Sequence, residues 1–288
     1  YAEYWTSDRP TMREKMMRNW LAVIVCLLGF IGCEGDLEFV APDPDTFVIQ
    51  AFIFADEPVE WVTVSGVLPI DADSTEVAPV ISNAEITILR GTERFNLQST
   101  SGEPGRYHYP GDDLDIQIGD VFRLEATVNG RTATAETVVP VAPVGLSLSA
   151  DSLIAPTFPP QRGQGPGSLL NRRITANWTN TGDQLHFIVI DNIEEAPQIL
   201  PTTAIFSRFA SRLIQQPTAA DSSVVVVPLL THYGQHRLKL YRVNEEYVDL
   251  YRGLQQDSRD LNEPPSNVHG ALGIFSAFSA DSSFFEVR

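Results

Sequence analysis

A chain of 288 residues that is 43% hydrophobic and 20% charged has the composition of folded protein and the length for one large or two modest domains. Collagen-like, wholly disordered and polytopic membrane architectures are excluded. With Lys plus Arg at 20 and Asp plus Glu at 37 the formal charge is -17, which repels nucleic-acid phosphate, so no nucleic-acid partner is expected.

Residues 1–11 read as an upstream segment ahead of the start candidates Met12, Met16 and Met17, and residues 12–32 as a lipoprotein signal peptide. Positive charge at Arg18 precedes the apolar run Trp20 to Gly32. That run is too short to cross a bilayer, which takes roughly 20 apolar residues, and fits the secretory core of about 7 to 15. It ends Phe30-Ile31-Gly32-Cys33, which resembles the lipobox of bacterial lipoproteins, although Phe30 stands where Leu is usual. Acyl chains on Cys33 would each add about 0.8 kcal/mol of membrane attachment per buried methylene. Residues 33–45 then form an acidic tether, opening Glu34-Gly35-Asp36-Leu37-Glu38. Cys26 and Cys33 are the only cysteines, so disulfide, thiolate-metal and cysteine-nucleophile chemistry are excluded from the exported body.

From Thr46 the chain reads as short strands between turn residues, and the fold class is mainly β. Phe47 to Phe54 and Val59 to Val64 are apolar strand candidates. Ile86 and Ile88 alternate with polar neighbours, as do Leu114, Ile116 and Ile118, and then Phe122, Leu124, Ala126 and Val128. Asn129-Gly130 joins this last strand to Arg131–Ala135 and predicts a type I′ hairpin, because both turn residues need positive φ. Residues 46–145 are therefore expected to form an immunoglobulin- or transthyretin-like β-sandwich. Pro156, Pro159, Pro160, Gly163, Gly165, Pro166 and Gly167 predict a linker or long loop over 146–170. Residues 171–288 are expected to be a second β-rich domain, with strands at Ile174 to Trp178, Leu185 to Asp191, Val224 to Leu230 and His236 to Val243. Asn244 followed by Glu245 and Glu246 predicts one short helix, with Tyr247, Tyr251 and Leu254 on one face. Ala204 to Ile214 has helical spacing but is also compatible with a strand.

No motif in this sequence carries catalysis, and no catalytic residue and no cofactor is expected. The serines stand in no strand–elbow–helix nucleophile motif and the acids follow no diagnostic spacing. His232 and His236 are four apart, but Gly234 lies between them in strand-like surroundings, so an ordinary hairpin pair outweighs a zinc site. Asp112, Asp113 and Asp115 offer a weak calcium candidate without the spacing of a calcium-binding helix–loop–helix, and a solvated strand entry is the stronger reading. Tyr107 is read as an inward strand residue and Trp178 as sandwich core. The loop from Asn262, through Glu263, Ser266 and Asn267 to His269, is the candidate binding surface, its alternative being a structural connection to the closing strand.

Cys33, Asn83 to Ile88, Gly105-Arg106-Tyr107, Val121 to Ala126 with Asn129-Gly130, Ala135 to Pro140 and Pro265 to Phe275 resemble, in this order, outer-membrane lipoproteins of the domain-of-unknown-function 4249 family. The resemblance implies a β-rich lipoprotein facing the periplasm or cell surface and associated with TonB-dependent receptors, and supplies no catalytic residues. The expected function is thus a non-enzymatic accessory or binding protein, anchored in the outer membrane through Cys33. A surface adhesion module and an enzyme with a loop-built site are the alternatives.

Overall fold

The computed structural model of the chain describes residues 46–68, 73, 75–155, 172–182, 184–200, 212–253 and 266–288. Cys33 with the expected signal peptide and tether, residues 156–170 of the expected linker, Leu254, Asn262 and Glu263 lie outside them. The first strands are β1 Phe47–Phe54, β2 Trp61–Gly66, β3 Glu85–Arg90, β4 Glu93–Asn96, β5 Gln98–Ser99, β6 Arg106–His108, β7 Val121–Val128 and β8 Arg131–Val138. There follow β9 Val144–Leu148, β10 Ser152–Leu153, β11 Arg173–Thr179, β12 His186–Asn192, β13 Arg212–Ile214, β14 Ser222–Val226 and β15 Gly234–Arg242. Helix α1 Glu245–Gly253 precedes the last strand, β16 Leu272–Val287. The protein is mainly β, and among the described residues no helix is long and apolar enough to cross a membrane.

Alternation decides most of these elements. In β7 the even-numbered Phe122, Leu124, Ala126 and Val128 are buried while Val121 and Arg123 are exposed, the period of a half-covered strand. Asn129 and Gly130 both take positive φ, at 50° and 81°, and Val128 pairs with Arg131 across them, as the hairpin requires. Leu114 and Ile116 are buried in extended chain but pair with no strand. There the backbone is held by the Asp56 amide, which donates to the Ile116 carbonyl at 3.1 Å, and by the Arg90 guanidinium, which donates to the Asp115 carbonyl at 2.5 Å. The strand expected over Val224 to Leu230 stops at Val226, because Pro228 has no amide to donate and the chain turns through a 3-10 segment. Arg212–Ile214 is strand rather than helix.

Among the described residues, three sheets organise the body. A four-stranded sheet runs β4-β3-β7-β8 and a three-stranded sheet runs β14-β11-β9. The largest has nine strands in the order β13-β12-β15-β16-β1-β2-β6-β5, with β10 also on β16. Strand β16 joins the two halves of the sequence. Its residues Leu272 to Phe278 pair in parallel with β1, and Ser279 to Val287 pair antiparallel with β15. The expected boundary at 146–170 therefore does not separate two sheets, since the chain end returns to pair with its first strand, and residues 144–148 and 152–153 are themselves strands.

Two cores lie on one face of the large sheet. Ile49, Ala51 and Ile53 of β1, with Phe275 and Ala277 of β16, pack in the first core with Phe122 and Leu124 of the four-stranded sheet. Leu238 and Leu240 of β15, with Phe285 and Val287 of β16, pack in the second with Ile174, Ala176 and Trp178 of the three-stranded sheet. Residues 275, 277, 285 and 287 are separated by even steps, so one side of β16 feeds both cores. Each fully buried large side chain contributes roughly 1.5–3 kcal/mol, which is what holds the smaller sheets down.

Candidate functional site

The opposite side of the same strands is only partly covered. On β1 the even-numbered Gln50 is exposed and Phe52 and Phe54 are half-buried, and Phe52 pairs with Trp61 of β2, which is 44% exposed. Phe278 of β16 stands beside Phe54, with ring centroids 5.2 Å apart. On β15 and β12 the same side carries Tyr241 opposite Phe187, stacked at 4.9 Å. Helix α1 lies over one end and adds Tyr247, whose ring meets Phe278 edge-on at 5.2 Å. The helix is fixed there by Glu246, which accepts hydrogen bonds from Thr137 Oγ1 at 2.5 Å and Ser276 Oγ at 3.2 Å. These rings line a cleft of about 340 Å³ on the open sheet face.

Charge closes the other end of the cleft. Register places Val189 opposite Lys239 and Asp191 opposite Arg237, so the side that carries Phe187 and Tyr241 continues into charged residues. Lys239 Nζ is ion-paired with Glu57 Oε1 and stands 5.9 Å from the Tyr241 ring centroid. Arg237 Nη2 lies 3.7 Å from Asp191 Oδ2, and Arg237 Nε is buried without a hydrogen-bond acceptor among the described residues. Beyond this rim a second cavity of about 450 Å³ shares Glu57, Arg237 and Lys239 and adds Asp56, Ser279 and Ser282 beside apolar Ile118 and three alanines.

The residues singled out from sequence fall elsewhere. Asn267 Nδ2 donates to the Phe275 carbonyl at 2.7 Å and Asn267 Oδ1 accepts from the Phe275 amide at 3.0 Å, so this side chain pairs with β16 as a neighbouring strand would. His269 exchanges backbone hydrogen bonds with Thr134 of β8 at 2.8 and 2.9 Å, and Ser266 Oγ donates to the Gly273 carbonyl at 2.8 Å. The described part of that loop thus makes the structural connection that was its alternative reading. The acidic cluster does not converge. Asp113 accepts from the Tyr109 hydroxyl at 2.5 Å, which holds that phenol above its usual range, while Asp115 accepts from Gln117 Nε2 at 2.6 Å. Among the described residues no group of His, Cys, Asp and Glu is arranged to hold a metal ion.

His236 sits in the second core, stacked on Phe285 at 5.2 Å, with its Nδ1 3.0 Å from the Gly234 carbonyl and its Nε2 3.3 Å from Asn192 Nδ2. Burial pushes its pKa down. His232 instead bonds Thr231 Oγ1 through Nδ1 at 2.7 Å. Tyr107 is fully buried, donating to the Ile81 carbonyl at 2.8 Å and accepting from the Ala84 amide at 2.9 Å. Its inward assignment agrees with the sequence, as does that of Trp178.

The cleft itself is not singled out by any motif. A signal was nonetheless present in Phe47–Phe54 and His186–Asn192, which are apolar at odd and even positions alike. A strand that is apolar on both sides needs cover on both. Here one side has a sheet over it and the other the rings of its neighbours with helix α1 over one end.

No family model matches the sequence, and no curated protein matches it. Among solved structures, the crystal structure of domains A168-A170 from titin is similar over 84% of this chain and 67% of that chain, with 11% identity and a TM-score of 0.20. That overlap is too slight to carry anything about function.

Proposed function

We propose that the chain is a lipid-anchored, non-enzymatic binding protein of the outer membrane that works beside a TonB-dependent receptor and takes its ligand in the aromatic cleft. The observation that carries the binding part is the cleft itself: aromatic rings on a partly covered sheet face, ending in charged side chains. Ligand sites typically combine such an apolar lining with a few polar groups that fix orientation. The anchoring part rests on the apolar run and Cys33, and the receptor on the resemblance of the exported body to outer-membrane lipoproteins.

The test is affinity purification of the protein from gently solubilised native membranes followed by mass spectrometry, with a Cys33→Ala strain as control. An outer-membrane receptor that is recovered with the wild type and lost in the control is the expected result. Recovery of the protein alone, in equal yield from both strains, would sink the receptor and anchor together and bring the adhesion module forward.

A further inference from the structure

We infer that the cleft is built for an amphipathic monoanion, an apolar or aromatic body ending in one oxyanion, with the body on Phe52, Phe54 and Trp61 and the oxyanion on Arg237. This deepens the binding function proposed above and rests on it. The body follows from the floor: the stacked and buried Phe187, Tyr241 and Phe278 support Phe52, Phe54 and Trp61, which present apolar surface in a volume of about 340 Å³. Cavities that bury small ligands run from about 300 to 1,000 Å³, so a compact molecule fits.

The oxyanion follows from the electrostatics of the rim. Its four charged groups are two cations and two carboxylates, but they are not equally matched. Lys239 and Glu57 are in direct contact, which neutralises both. Arg237 approaches Asp191 only to 3.7 Å, beyond hydrogen-bonding distance, and its Nε is buried with no acceptor among the described residues. A buried donor without a partner is unfavourable, and a guanidinium presents its donors as a fork that matches two oxygens of one acid group. With 37% of the Arg237 side chain exposed, a ligand in the cleft reaches this fork after a small rotation away from Asp191. A cationic ligand has no comparable place, because Glu57 is occupied by Lys239 and Asp191 also has other company. A polyhydroxylated neutral ligand fits less well too, since the polar groups lie at one end and the rest of the lining is apolar.

Two naphthylamine dyes separate the parts of this inference: 1-anilinonaphthalene-8-sulfonate carries the oxyanion, and N-phenyl-1-naphthylamine is the same body without it. Titrated by fluorescence into the full chain in detergent-free buffer, the sulfonate is expected to bind at least tenfold more tightly than the neutral dye. Arg237→Gln should weaken the sulfonate about tenfold and leave the neutral dye within twofold, with Arg237→Lys between. Ile214→Trp adds bulk at the exposed mouth of the cleft, where Ile214 is 62% exposed, and should weaken both dyes. Unfolding midpoints of the three variants within a few degrees of wild type confirm that folding is intact. Equal affinities for the two dyes, unaltered by Arg237→Gln but lowered by Ile214→Trp, would overturn the oxyanion while leaving a binding cleft. Indifference of both dyes to Ile214→Trp would place them elsewhere and overturn the inference. No binding of either dye would sink the binding function itself.

Discussion

The two faces of the nine-stranded sheet share every backbone atom and differ only in what lies over them. On the closed face Ile49, Ala51, Ile53, Phe275, Leu238 and Phe285 are at most 1% exposed, because a smaller sheet covers each half. On the open face Phe52 and Phe54 are half-buried, while Trp61 and Phe284 are 44% and 53% exposed. Hydrophobic stabilisation scales with the area removed from water, so the same residue type does different work on the two sides. Closed-face rings hold the fold. On the open face Phe187, Tyr241 and Phe278 are buried as well, packed with Val248 of α1, and it is Phe52, Phe54 and Trp61 that keep surface a ligand can reach.

The largest effect is expected where the two halves of the chain meet. Gly273 of β16 lies opposite Ile49 with φ of 121°, and a Cβ there would overlap the Ile49 carbonyl. Gly273→Ala should therefore cost about 3 kcal/mol or more, through backbone strain and loss of the β1–β16 pairing. Thermal unfolding should fall by roughly 6–12 °C or the protein should fail to accumulate, and an unchanged midpoint would show that this junction tolerates a side chain after all. An effect of the same size tests the comparison of faces itself. Phe275→Ala on the closed face should cost about 3–5 kcal/mol, the range for truncating a buried ring. Trp61→Ala on the open face should cost about 1 kcal/mol or less while weakening whatever binds the cleft. Equal losses of stability from the two would mean that the open face is as structural as the closed one.

Local pattern made much of this legible in the sequence. Phe122 to Val128 alternate as a half-covered strand does, Asn129-Gly130 supplies two positive-φ positions, and Asn244 begins a helix with two acidic residues in its first turn. What alternation cannot supply is the identity of a neighbour. Leu114 and Ile116 are buried two apart with exposed Asp115 between them, as one side of a strand would be, yet they have no strand beside them, and a sequence pattern does not distinguish those cases. The cleft was illegible for the same reason. It joins Phe54, Phe187, Tyr241 and Phe278 from strands far apart in the chain, and they meet only once the pairing of β1 with β16 and β16 with β15 is known. Asn267 shows the converse: a polar loop residue that reads as a surface contact spends its amide on the β16 backbone.

Acid should expose a second asymmetry, between the two cores. His186 and His236 are both 2% exposed and both belong to the C-terminal half, and burial is the main cause that lowers each pKa below the ordinary 6.5. Around His236, His232 adds to the lowering and Glu194 and the Gly234 carbonyl oppose it; around His186, Arg242 adds and the Gln184 carbonyl opposes. The folded state then binds fewer protons than the unfolded state just below pH 6.5, so this stability is complete above that value and is lost as pH falls through the folded values. Denaturant midpoints between about pH 7.5 and pH 5 should decline. The informative measurement is the difference made by His236→Phe. That substitution keeps a ring against Phe285 and removes the titration, so the decline should become shallower, and an identical slope would discharge His236 from any part in it.

The smallest expected effect is at the end of the open face. Arg106 stacks over Trp61 at 4.5 Å, donates through Nε to the Glu60 carbonyl at 2.9 Å and is ion-paired with Glu103, with its side chain 24% exposed. Arg94, on the outer surface of the four-stranded sheet, pairs with Glu125 at 3.0 Å and is 55% exposed. A solvated ion pair contributes about 0.2–1 kcal/mol, whereas a guanidinium on an indole face adds about 0.5–1 kcal/mol more. Arg106→Gln should accordingly destabilise more than Arg94→Gln by about 0.5 kcal/mol, resolved by paired denaturant titrations. It should also shift Trp61 emission, since the indole loses the cation that covers it, and Arg94→Gln should leave emission alone. If the two substitutions are indistinguishable in both readouts, the Trp61 ring is not held by Arg106, and the aromatic surface of the open face ends at Phe52 rather than reaching β6.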